Sequence, residues 1–145
     1  MSIPDYEIDM DPARLQFDLV HATVAQTYWA EGIPRETLER AIANSLCIGA
    51  YHEGAQVGFA RVVTDRATFA YLADVFVLPA HQGKGLAKAM VGRLHAHPEL
   101  QGLRRWLLAT RDAHDVYAAL GWQPLAEPGV FMQRHDPDVY VKRAE

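Results

Sequence analysis

At 145 residues, half of them hydrophobic and 22% charged, the chain has the usual size of one compact globular domain and is too short for two sizeable cores. A formal net charge of −4 argues against nucleic-acid binding through a basic surface, and no run approaches the roughly 20 apolar residues that span a bilayer. Residues 1–7 lack the basic start and apolar core of a secretion signal, and the single cysteine, Cys47, excludes an intrachain disulfide, so the cytoplasm is the expected compartment.

In chain order, a short strand or turn near residues 6–11 precedes a segment in which Phe17, Val20, Val24 and Tyr28 recur at helical spacing, closed by Gly32. Pro34, followed by Glu36 and Glu39, opens a second helix that runs to about Ser45. Residues 46–51 and 56–63 read as strands around the turn at 52–55, and residues 69–77 as a third strand after the turn Asp65-Arg66-Ala67. A glycine-rich loop then leads into a helix. Beyond it, residues 103–110 read as a strand and 112–120 as a short helix closed by Gly121. Residues 122–125 and 130–134 read as further strands, and residues 135–140 leave the last one as a loop that either closes over a binding site or packs against a second subunit. Consecutive strands followed by strands alternating with helices predict an α+β fold with a mixed sheet. No repeat, low-complexity tract or linker divides residues 1–145, which are expected to form a single domain.

The stretch from Asp74 to Met90 carries the strongest chemical signal: an apolar strand end passes through Gln82-Gly83-Lys84-Gly85 directly into Leu86-Ala87-Lys88. The first amides of a helix lack intrahelical partners and lie at the positive end of its dipole, so they can hold a pyrophosphate. Gly83, Gly85 and the small Ala87 let phosphate oxygens approach the backbone, while Lys84 and Lys88 add positive charge. A Walker loop needs four residues between its glycines, followed by Gly-Lys-Ser/Thr, and a dinucleotide fingerprint needs Gly or Ala where Lys88 stands.

What remains, Gln82-x-x-Gly85-x-Ala87, resembles the acetyl-coenzyme A loop of the GNAT (Gcn5-related) N-acetyltransferases, written Gln/Arg-x-x-Gly-x-Gly/Ala. Downstream, Tyr117, Gly121 and Trp122 resemble the second signature of that family, a Tyr four residues before a Gly that an aromatic residue follows. The resemblance implies a mostly antiparallel mixed sheet flanked by helices, with a splayed strand pair holding the cofactor. It implies acetyl-CoA as co-substrate, no metal, and a small-molecule or peptide amine as acceptor, acetylated by direct attack in a ternary complex. The pantetheine arm would lie along Val75, Phe76 and Val77, a backbone N–H of Phe76 or Val77 would polarise the thioester carbonyl, and Tyr117 would protonate the leaving thiolate. Many relatives are dimers, which leaves a homodimer open.

Each candidate also has a plainer reading. Tyr117 on an amphipathic helix can simply bury its ring and expose its hydroxyl. Asp74, amid apolar strand residues, can either draw the amine proton through water or serve as a structural acceptor. Tyr28, Trp29, Phe69 and Tyr71 can line an acceptor pocket or pack the core. Cys47 in an apolar strand reads as a small hydrophobe, and His95 and His97 lack the spacing of two ligands on one helical face. A noncatalytic acyl-CoA-binding module would keep the loop without needing Tyr117.

Overall fold

The computed structural model describes residues 3–144 and, of residues 142–144, the backbone alone. Five strands form one sheet in the order β1-β2-β3-β4-β5, comprising β1 (Tyr6–Asp9), β2 (Leu46–His52), β3 (Ala55–Thr64), β4 (Phe69–Val77) and β5 (Arg105–Leu107). The first four pair antiparallel as a meander, and β5 runs parallel to β4. Helices α1 (Phe17–Val24) and α2 (Arg35–Ala43) precede β2. Between β4 and β5 lies α3 (Leu86–His95), and α4 (His114–Ala118) and α5 (Val139–Ala144) follow β5. This is the α+β arrangement expected from the sequence.

Alternation along the strands separates two cores. One face of the sheet gathers Ile48, Ala60, Val62, Ala70 and Leu72 with Met90, Val91 and Leu94 of α3. Gly58 makes this contact close, because a β-carbon there would lie 3.1 Å from the Met90 methyl. The other face joins Cys47 and Phe59 to Val20 and Val24 of α1 and Leu38 of α2. In β4 the alternation breaks: Ala70, Leu72, Val75 and Val77 pack on the α3 side, and Phe76 on the other. The register shifts between Phe59 and Arg61 of β3, and Asp74 adopts a left-handed φ of 54°. One extra residue is therefore accommodated at a β-bulge, which bends the strand away from its neighbour.

Three sequence expectations are corrected. Helix α1 ends at Val24, and residues 25–32 form turns, because Thr23 and Thr27 hydroxyls bond back to the carbonyls of Leu19 and Val24 and compete with the helix. Strand β5 keeps only three residues, since β4 diverges beyond Tyr71 and leaves residues 108–110 without a partner. Residues 122–125 and 130–134 form no strand: Pro124 lacks an amide to donate, and a 3-10 turn occupies Pro128–Val130. The tail instead returns to the α1–α2 side, where Tyr140 packs against that core.

Candidate active site

The glycine-rich loop is held from below and open above. The Leu78 amide bonds the Val57 carbonyl at 2.8 Å, and the Gln82 side chain donates to the Val77 carbonyl at 2.9 Å, fixing the loop to the ends of β3 and β4. Gly83 and Gly85 take left-handed φ values of 79° and 83°, and Gly85 precedes the first residue of α3. Among the described residues, the amides of Gly83, Lys84, Gly85, Leu86, Ala87 and Lys88 have no acceptor, and the first helical bond is made by Ala89 to Gly85. These amides, with exposed Lys84 and Lys88, form the concave donor set that a diphosphate requires. Buried Leu86 anchors the helix beneath them.

The bulge at Asp74 opens a fork between β4 and β5. Pairing of the two strands stops at Tyr71 and Leu107, so residues 72–77 of β4 present a free edge. Phe76 faces Phe59 and the Leu78 amide bonds Val57, which places Phe76 and Leu78 in the bonded positions of the β3–β4 ladder. Because bonded and non-bonded positions alternate, Val77 turns its N–H toward the fork.

Tyr28 and Trp29, released from α1 by its early end, roof the fork and touch both arms. Trp29 donates its indole N–H to Asp74 Oδ1 at 2.8 Å on the β4 side, and Tyr28 Oη accepts from the Arg111 amide at 3.2 Å on the β5 side. The two rings pack edge to face with centroids 5.0 Å apart, yet each residue is nearly half exposed. Asp74 is itself buried. Its Oδ2 accepts from Arg61 Nε at 2.8 Å, and Arg61 also donates to Ser45 Oγ. Both carboxylate oxygens therefore already hold donors.

Tyr117, on α4 beyond the β5 arm, is partly buried against the α3 core, with its ring 6.0 Å from that of Trp122. Burial raises the pKa of its phenol above the ordinary value, and nearby Tyr28 raises it further. The hydroxyl thus keeps its proton, as a donor must. Helix α4 positions it: Thr110 Oγ1 accepts from the Ala113 amide at the start, and the Tyr117 carbonyl accepts from Leu120 and Trp122 at the end, where Gly121 turns at φ 96°.

Not every predicted site residue gathers here. Tyr71 and Phe69 pair with Leu107 and Arg105 on the closed part of the β4–β5 ladder, with Tyr71 at the point where the fork begins. Cys47 is buried, and desolvation pushes its thiol up to about 12. A thiol-labelling reagent at pH 8 should therefore leave it unmodified in the native protein and react fully in denaturant. A surface recess of about 620 Å³, lined by His95, Trp106 and Trp122 among others, lies beside β5 and α4, away from the glycine-rich loop. No group of described residues could hold a metal ion, and no described helix is long and apolar enough to cross a membrane.

Sequence reasoning missed Arg61 and Arg111. Arg61 carried a usable signal, since a charge between Phe59 and Val63 in a buried strand requires a counter-charge, and Asp74 sits almost symmetrically across the hairpin. Arg111 carried none, because its neighbours become visible only when Tyr28 is seen to cross the fork.

Residues 17–122 match the model of the acetyltransferase (GNAT) family. A curated relative from Gibberella zeae, described as a candidate acetyltransferase, is 37% identical, covering 78% of this chain and 76% of that protein. The crystal structure of a candidate acetyltransferase of the GNAT family from Xanthomonas campestris pv. campestris superposes with a TM-score of 0.92. The two chains are 48% identical, with 96% of this chain and 99% of that one covered. A candidate acetyltransferase from Clostridium acetobutylicum, crystallised with acetyl-CoA, shares the fold at 16% identity and a TM-score of 0.65, covering 90% of this chain and 94% of that one.

Proposed function

Since the chain belongs to the GNAT acetyltransferase family, we propose that it transfers the acetyl group of acetyl-CoA to a primary amine by direct attack in a ternary complex. The observation that carries this reading is the fork itself. An open donor cradle lies at one end, a free strand edge runs beside it, and the helix that follows the β5 arm carries a phenol that keeps its proton. Acetyl-CoA, when bound, supplies an acyl carbon already activated as a thioester.

The chain's own residues supply placement and charge control. The amides of residues 83–88, with Lys84 and Lys88, hold the diphosphate. The free edge at Val75, Phe76 and Val77 pairs with the extended arm as an added strand would. The Val77 N–H donates to the carbonyl oxygen as it gains charge. The amine lone pair forms the new C–N bond as the C–S bond breaks, the sulfur takes its proton from Tyr117, and the amine's surplus proton leaves to water, from which Tyr117 is reprotonated. With both Asp74 oxygens already engaged, its structural role is favoured over that of base, and it holds Trp29 in the roof over the acceptor.

A calorimetric titration with acetyl-CoA and with coenzyme A, followed by a thiol-release screen over a panel of amines, tests the reading. Binding with amine-dependent release supports it, and binding without release points to a noncatalytic acyl-CoA module. Failure of both ligands to bind removes the loop assignment. The loop can also be tested alone. At φ 83°, a β-carbon costs about 1–2 kcal/mol. Gly85→Val therefore relaxes the free loop away from the cradle geometry and should weaken acetyl-CoA binding by roughly tenfold. Unchanged affinity would show that the cradle does not hold the ligand.

A further inference from the structure

We propose that Arg111 recognises an anionic group on the acceptor, so that the preferred substrate is a primary amine that also bears a carboxylate. This inference rests on the transferase reading and names its substrate class. The parallel pair ends at Tyr71 with Leu107, and Arg111 lies four residues beyond that end, where the two strands have parted. Arg111 therefore lies on the β5 arm of the fork, linked through Tyr28 and Trp29 to Asp74 at the bulge. Its guanidinium is stacked over the Tyr28 ring at 3.9 Å from the centroid, and its backbone amide bonds the Tyr28 hydroxyl. The amide bond holds the Arg111 backbone beside Tyr28, and the guanidinium rests over the ring. Contact with a ring consumes none of the five N–H donors of a guanidinium, which stay available to an anion.

Charge in this region is unevenly paired. Asp74 is buried and already bound to Arg61, so it offers no free negative charge to a second ammonium of a polyamine. Arg111 is exposed and, among the described residues, makes no ion pair with any carboxylate, including Asp112 and Asp115 beside it in the chain. An oriented guanidinium with free edge donors at the mouth of the fork has the fork geometry that a carboxylate matches with two parallel bonds. The aromatic roof of Tyr28 and Trp29 covers the intervening part of an acceptor without adding charge.

The test compares amino acids with their primary amides as acceptors, in the wild-type protein and in Arg111→Gln and Arg111→Lys variants. The expected result is a preference for the acid of roughly 10- to 100-fold in kcat/KM, carried mainly by KM, as a charged hydrogen-bonded pair provides. In Arg111→Gln that ratio collapses toward one, while the affinity for acetyl-CoA, measured by titration, stays the same. Arg111→Lys restores part of the ratio. Amides used as well as acids by the wild type, or equal losses for both in Arg111→Gln, would overturn the anion site and leave the transferase intact. A readout without turnover uses N-acetylated amino acids and their amides as ligands in the presence of coenzyme A. Binding of the acids that depends on Arg111 supports the proposal, and indifference to Arg111 overturns it. If acetyl-CoA itself does not bind, the transferase reading fails and this inference with it.

Discussion

Replacing Tyr117 with Phe is expected to lower amine-dependent thiol release by roughly 10²- to 10⁴-fold, the range typical of removing a positioned general acid. The affinity for acetyl-CoA should hardly change. The substitution deletes one oxygen and keeps the ring, so the packing against Trp122 and the α3 core persists. The pH profile gives a second reading. A phenol donates only while neutral, and burial, aided by Tyr28, raises the Tyr117 pKa above 10. Loss of this donor should therefore not limit the wild-type rate below about pH 10. A variant as fast as wild type would mean that the departing sulfur takes its proton from solvent, and that the plainer reading of Tyr117 as a core residue suffices.

The second large effect falls on stability. Asp74→Ala is expected to lower the unfolding free energy by about 3–5 kcal/mol, read as a fall in denaturant midpoint at constant slope. The side chains of Asp74 and Arg61 are only 5% and 16% exposed, so removing the acid strands a guanidinium inside the fold. The Trp29 indole N–H loses its acceptor as well. Alanine further bears a left-handed φ of 54° that Asp tolerates better. Asp74→Asn keeps both the acceptor and that tolerance, and should recover part of the loss. Replacing both members of the pair with apolar residues should recover more. Asn also separates the two roles of this residue. A folded Asp74→Asn protein that retains turnover shows a positioning acid, whereas one that folds but cannot turn over restores the proton-relay role.

How much of this was readable in the sequence depended on the range of the interactions. The hairpins and the strand at 69–77 were legible because turn residues and alternation act within a few positions, and β4 begins and ends where the pattern placed it. The cradle was legible because Gly83 and Gly85 adopt backbone conformations that few other residues take easily. Helix α1 was extended too far, since Tyr28 continues its apolar spacing while the competing threonine bonds leave no mark in a hydrophobic pattern. The tail strands failed for a related reason: residues 130–134 are apolar enough, but strand character requires a neighbour, and β5 is short. The roof of the fork was out of reach, because Trp29 meets Asp74 across 45 positions and Tyr28 meets Arg111 across 83. Tyr28 and Trp29 were identified as pocket candidates; the two arms they join were not.

The extra residue at Asp74 makes the odd and even positions of β4 a kind of reading frame. Upstream, Ala70 and Leu72 point toward α3; downstream, Val75 and Val77 do, and Phe76 faces the other way. Removing one residue at the bulge would restore strict alternation, with Val75 and Val77 still toward α3, and would remove the bend that parts β4 from β5. The count of residues in β4, more than the chemistry of any one side chain there, thus sets whether the two strands part.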